Sequence, residues 1–280
     1  MAFNLSRLLQ DTYRKLGQTD TFLATGGSAT TIVNSSFKEK YQDDDLTGWS
    51  AFVTRDAGGA SAAPEDEFRL VSIYSESTWT ITVAPAFSVA PAVGDRITLA
   101  NGIFPVEEMI QLANMTLEEL GDFTFPETSL TTVDGQKEYA IALGTKRKII
   151  RIEIADDADD SGWKELQPFR YTIVPATAGS TGLLVFNEEP VPNRSLKIWY
   201  RGSHPYVTDY DDIILEYIHP TLAVNGLAVA ALEWFNSRIS GSEDYWLAKL
   251  NDARREFDIA KITHKTEKPG SKNRMLVVGE

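Results

Sequence analysis

A chain of 280 residues exceeds one typical domain and suggests about two, and its 42% hydrophobic content is enough to fill their cores. Lys and Arg number 27 against 40 Asp and Glu, a net charge of −13, which excludes a conventional nucleic-acid clamp because phosphate contacts need a basic face. Cysteine is absent, so disulfides, thiolate metal sites and cysteine nucleophiles are excluded as well.

Residues 1–16 lack the apolar core and small-residue cleavage site of a signal peptide. The longest apolar run, 223–231, is interrupted by Asn225 and Gly226 and is too short for a bilayer. The expectation is a soluble protein made in a cytoplasm, without membrane contact. The chain opens instead on an amphipathic helix: Leu5, Leu8, Leu9 and Leu16 share a face, Asn4 serves as N-cap and Gly17 as stop.

From residue 18 to 102 the period changes to two. Runs at 30–34, 48–54, 67–74, 79–83 and 95–99 alternate or are rich in β-branched residues. Turn clusters at Gly26-Gly27-Ser28, Asp56-Ala57-Gly58-Gly59 and 90–95 divide them, which describes a small β-barrel or sandwich. A second helix follows, with Pro105 in its first turn, Glu107 and Glu108 at the positive end of its dipole, and Gly121 as stop. Residues 123–201 return to β. The stretch 131–139 carries a central Asp134-Gly135, a hairpin signal, and 147–154, 169–174, 182–186 and 196–200 supply further strands. The last third is helical: one helix over 209–237, with His219-Pro220 as its kink or start, and another over 243–261.

The expected fold is therefore α+β. An antiparallel helical bundle of N-terminal, middle and C-terminal helices (1–17, 103–121 and 209–262) carries two inserted β-barrel or sandwich units (18–102 and 122–208) and an extended C-terminal arm (263–280).

The best metal candidate is the run 156–162. Asp157, Asp159 and Ser161 take positions 1, 3 and 5 of a calcium loop and Gly162 follows, but Pro168 stands where the bidentate Glu belongs, so a solvated turn is the simpler reading. Asp43-Asp44-Asp45 has poorer spacing and reads as a loop. His204, His219 and His264 are isolated, no nucleophile elbow is present, and Gly26-Gly27 and Gly58-Gly59 lack the Lys of a phosphate loop. Carboxylate pairs such as Glu65/Glu67 or Glu188/Glu189 could serve a glycosidase, and Trp49, Trp79, Trp163 and Trp199 could form a carbohydrate-binding face, although core packing accounts for most of them. No cofactor and no enzymatic activity are expected.

Charge is unevenly distributed. Residues 249–280 hold eight basic residues and five acids, a net of +3, which leaves −16 on the other 248. A basic, aperiodic tail that closes on Met275, Leu276, Val277 and Val278 reads as an arm for another protein surface, ordered on binding.

The stretch Leu8-Leu9-Gln10-Asp11-Thr12-Tyr13-Arg14-Lys15-Leu16-Gly17 is similar to the first helix of the head-to-tail adaptor (connector, or head-completion) proteins of tailed bacteriophages. Residues 104–121 resemble that family's second helix. Thr131-Thr132-Val133-Asp134-Gly135-Gln136-Lys137-Glu138-Tyr139-Ala140-Ile141 looks like a strand-turn-strand of phage neck and tail proteins, and Asp209-Tyr210-Asp211-Asp212-Ile213-Ile214-Leu215 looks familial too. Compact adaptors have only a short loop where 18–102 stand, so that segment is expected to project as an extra domain. The resemblance implies a virion protein of the neck, in a homo-oligomeric ring, often of twelve subunits, between portal protein and tail or nozzle proteins. DNA would pass its channel without specific binding, and Lys265, Lys268, Lys272, Arg274, Met275, Leu276, Val277 and Val278 would form the portal-binding arm. The alternatives are another neck, collar or tail component and, in a different class, a carbohydrate-binding or hydrolytic β-rich protein.

Overall fold

The computed structural model describes residues 3–37, 40–59, 62–141, 148–156, 162–175, 182–238 and 244–264. Helix α1 (Leu5–Lys15) forms where its signals place it: the Asn4 side-chain oxygen accepts the Arg7 N–H at 2.9 Å, and Gly17 leaves the helix with φ +65°. The helix is buried on more than its leucine face. Its inward polar groups are paired within the helix, Gln10 Nε2 donating to Ser6 Oγ (3.0 Å) and Thr12 Oγ1 to Leu8 O (2.7 Å).

The first N–H groups of α1 are satisfied from far along the chain. Leu5 N–H donates to Asp212 O (2.9 Å) and Ser6 N–H to Tyr210 O (3.1 Å), while Ile214 N–H donates back to Phe3 O (2.9 Å). This pairing corrects the helix expected over 209–237. The backbone of 210–214 is committed to the start of α1, so α3 spans only Pro220–Arg238 and begins at His219-Pro220. Helix α2 covers Val106–Glu119 and α4 covers Asp244–Thr263. Gly226 of α3 sits where three helices meet: a Cβ there would lie 2.7 Å from Thr116 Cγ2 of α2 and 3.1 Å from the Phe257 ring of α4.

Between α1 and α2 runs a seven-stranded antiparallel sheet in the order β1-β7-β4-β5-β6-β3-β2. Its strands are β1 (Thr19–Leu23), β2 (Gly26–Ser28), β3 (Thr31–Val33), β4 (Ser50–Arg55), β5 (Phe68–Ser75), β6 (Thr80–Ala84) and β7 (Arg96–Ala100). The two edge strands β1 and β2 are separated only by Ala24 and Thr25, so the sheet wraps round one core that includes Ile32, Phe37, Leu46, Val53, Val71, Tyr74, Ile81, Ile97 and Leu99. The ends of the segment meet, Asn101 N–H donating to Gln18 O at 3.0 Å. Gly26-Gly27-Ser28, expected as a turn, is strand β2. Glycine is needed there because a Cβ on Gly27 would fall 2.3 Å from Thr31 O.

Apart from the last two residues of α2, all these elements fall in one compact unit, Met1–Leu117 with Pro205–Thr266; Glu118–His204 are the body of a second. The second unit has two antiparallel sheets, β11-β10-β14-β8 and β12-β13-β9. These are β8 (Phe123–Thr131), β9 (Glu138–Ile141), β10 (Lys148–Ala155), β11 (Trp163–Glu165), β12 (Tyr171–Val174), β13 (Gly182–Phe186) and β14 (Ser195–Gly202). Ile152, Leu196, Ile198 and Tyr200 from one sheet and Tyr139, Ile141, Leu184 and Phe186 from the other fill a shared core. The Asp134-Gly135 turn forms, with Gly135 at φ +72° and Gln136 N–H on Val133 O (3.2 Å), yet it makes no hairpin. Thr131 pairs with Ser195 and Glu138 with Val185, so the chain changes sheet at this corner, which Tyr139 Oη braces by donating to Gln136 O at 3.0 Å.

A helical bundle carrying inserted β units is thus overturned as the description of this fold. The chain is mostly β-sheet: three sheets against four helices among the described residues, two of the helices, α3 and α4, in the C-terminal half. The physical reason lies in the apolar side chains. Two clusters of buried residues lie on strands and the loops between them, whereas α1 and α2, at 11 and 14 residues, are too short to organise a bundle. Among the described residues no helix is long and apolar enough to cross a membrane.

Candidate functional site

Of the acids weighed for catalysis, Glu65 and Glu67 are tied into structure, together with Asp66 between them. Glu65 Oε1 accepts Arg7 Nη2 (3.2 Å), its Oε2 accepts the Asp56 N–H (2.9 Å), and Asp66 Oδ1 accepts Arg7 Nε (2.7 Å). Glu67 is buried and accepts Arg69 Nη2 (2.6 Å), the Ser88 N–H (2.9 Å) and the Ser88 hydroxyl. Arg69 in turn lies over the rings of Phe87 and Tyr210, at 5.3 and 5.5 Å. Burial raises the Tyr210 hydroxyl above its ordinary range, and the Glu67 charge adds to the shift. These contacts hold 65–69, the start of α1 and the 209–214 segment together. The pair Glu65/Glu67 is spent on that task.

Asp43-Asp44-Asp45 is a loop as expected: Asp43 Oδ1 accepts the Glu76 N–H (2.7 Å) and Asp45 Oδ2 the Gln42 N–H (2.8 Å). Among the described residues no group of three or more His, Asp or Glu could hold a metal ion. The calcium candidates Asp157, Asp159 and Ser161 lie outside the described residues. Beside them, Asp156 closes the β10–β11 connection through its N–H on Gly162 O (2.8 Å), and its carboxylate pairs with Lys164 Nζ at 2.7 Å. Glu188 and Glu189 line a cavity of about 310 Å3 with Ile154, Leu166, Phe169 and Phe186, and Glu189 Oε1 accepts the Gly135 N–H (2.6 Å).

Of the tryptophans, Trp49 and Trp79 pack against the core of the seven-stranded sheet. Trp163 lies under Lys197 Nζ at 3.6 Å and Trp199 under the Arg151 guanidinium at 4.4 Å, so a face of each is already covered by a cation. His204 is buried. His219 and His264 stack at 3.6 Å with rings 4° from parallel, and His219 Nδ1 accepts the Thr221 N–H (3.3 Å) at the start of α3.

That stack marks where α4 ends. Its last turns expose Ile259 (54%) and Ile262 (73%), directly before the basic segment. The arm residues Lys265, Lys268, Lys272, Arg274, Met275, Leu276, Val277 and Val278 lie outside the described residues.

One pair of residues was not singled out by sequence. Arg55 and Arg96 are register partners across β4 and β7 and line a pocket of about 180 Å3 with Leu23, Asp56, Ala57 and Gly94. The only signal in sequence is position: each arginine borders a turn cluster, at opposite ends of two period-two runs whose pairing is long-range. No protein-family model matches the chain, and no curated protein matches it.

Proposed function

We propose that the protein is a structural virion subunit, a head-to-tail adaptor that assembles as a ring between portal and tail and lets DNA pass. The observation that carries this reading is the contrast between body and arm. Residues 1–248 carry a net charge of −16, and helix α4 exposes Ile259 and Ile262, followed at once by a segment with four basic residues and the apolar run 275–278. An exposed apolar patch continuous in sequence with a basic segment is suited to docking on another protein. An acidic channel wall repels phosphates, so duplex DNA slides without adhering. The likeness of 8–17 and 104–121 to adaptor helices agrees with two helices that both form, and the carboxylates tied into ion pairs suit an architectural role.

The test is co-expression with a tailed-bacteriophage portal protein, followed by capture on a portal tag. The full chain is expected to co-purify, and a 1–264 truncation to fold but lose capture by at least about tenfold, the equivalent of one or two charge-assisted contacts. A full chain that ignores portal rules the reading out. A truncation captured as well as the full chain removes the arm from it.

A further inference from the structure

We infer that the pocket between Arg55 and Arg96 is a binding site for a phosphate group. Two guanidinium groups on register partners repel one another, and like charges facing across strands destabilise a sheet. Yet among the described residues neither arginine has an ion pair, in a unit where Arg7, Arg14, Arg69, Arg238 and Arg254 each have one. Nor is a carboxylate lacking nearby. Asp95, next to Arg96 in sequence, is buried and turned away: its Oδ1 accepts the Ala57 N–H (2.9 Å) and its Oδ2 the Ala92 N–H (2.7 Å). Asp56 is on the wall, with its Oδ1 accepting the Gly58 N–H (2.9 Å).

The pocket is also built, not left over. Asp95 clamps both turns that wall it, Ala24 N–H reaches Asp95 O and Gly94 N–H reaches Ala24 O at 2.8 Å each, and Glu65 holds the Asp56 N–H. Gly94, at φ +92°, lets the two turns close up, since a Cβ there would stand 3.3 Å from the Ala57 Cβ. Two forks of planar N–H donors on a rigid rim match a tetrahedral oxyanion, and a volume near 180 Å3 has room for a phosphate group. Asp56 on the wall and Asp95 behind it, whose Oδ1 accepts the Ala57 N–H, offset much of the two cations' field, so millimolar affinity is the expected scale. The inference stands apart from the adaptor reading.

The experiment follows the arginine Nε–H NMR signals of the full chain while inorganic phosphate, and separately phenyl phosphate, replaces chloride at constant ionic strength. Saturable shifts of the Arg55 and Arg96 signals are expected with at least one of them, and the tighter probe tells whether free phosphate or a phosphate ester is the ligand. Arg55→Gln and Arg96→Gln should each weaken binding by at least about tenfold. Arg55→Lys, which keeps the charge but loses the fork, should fall between. Without phosphate the Gln variants should melt no lower than the parent, because a like-charge contact is relieved, so lost binding will not reflect lost folding. No saturation by either probe, equal saturation by acetate, or undiminished binding in both Gln variants overturns the site.

Discussion

At single residues, the structure shows how polar groups earn a place in an apolar interior. Tyr13 is fully buried, and burial alone pushes its hydroxyl far above the ordinary range, so it stays a donor, to Phe104 O at 2.6 Å. Tyr13→Phe leaves that carbonyl unpaired and should cost about 1–3 kcal/mol in denaturant unfolding; no loss would mean another donor takes its place. Asp20 responds to pH. Burial works to raise its carboxyl, but the hydrogen bonds of Lys40 and Tyr41 and the Lys40 charge outweigh that, and the net shift is downward. Tyr41, which donates to Asp20 Oδ2 at 2.6 Å, is pushed up by burial and by that bond. A lowered carboxyl contributes stability that is present above about pH 3.9 and lost as pH falls through its depressed value. A raised phenol contributes stability that is present below about pH 10 and lost as pH rises through its elevated value. Asp20→Asn should therefore lower stability at neutral pH and flatten the acid limb of the stability curve, read by urea unfolding from pH 2 to 6; a parallel acid limb would separate Asp20 from acid lability.

Elements were legible where their signals are local. Asn4, Gly17, Pro105 and Gly121 bracket α1 and α2 close to where the helices begin and end, and the run 182–186 coincides with β13. What escaped is set by partners distant in sequence. Segment 209–219 has helical composition, but its carbonyls satisfy the N-terminus of α1, a demand written some two hundred residues away. The Asp134-Gly135 signal gave the turn and not the pairing, because sheet membership depends on Ser195 and Val185. Gly226 looked like a break in an apolar run; it is a crossing point. Gly226→Val should destabilise by about 1–3 kcal/mol or more through overpacking against Thr116 and Phe257, despite the better helix propensity of valine. Adding Thr116→Ala should return part of the loss, a coupling seen in a double-mutant cycle. Strict additivity would show that the crossing is looser than the distances imply.

Across the whole molecule, periodicity revealed the alternation of helical and β segments but misjudged which of them organises the fold. Two β cores carry much of the burial, and the short helices depend on packing for their stability. The candidate site was legible only as charge distribution: a basic segment on an acidic body is visible in composition, whereas Arg55 and Arg96 become neighbours only when β4 pairs with β7. The adaptor account makes assembly on a template its central claim. Native mass spectrometry of the full chain mixed with purified portal rings measures this most directly. The account predicts a single complex in which the chain joins the ring in a fixed, symmetric number of copies, twelve on a twelve-fold portal; a chain that stays unassociated with portal at micromolar concentration contradicts it.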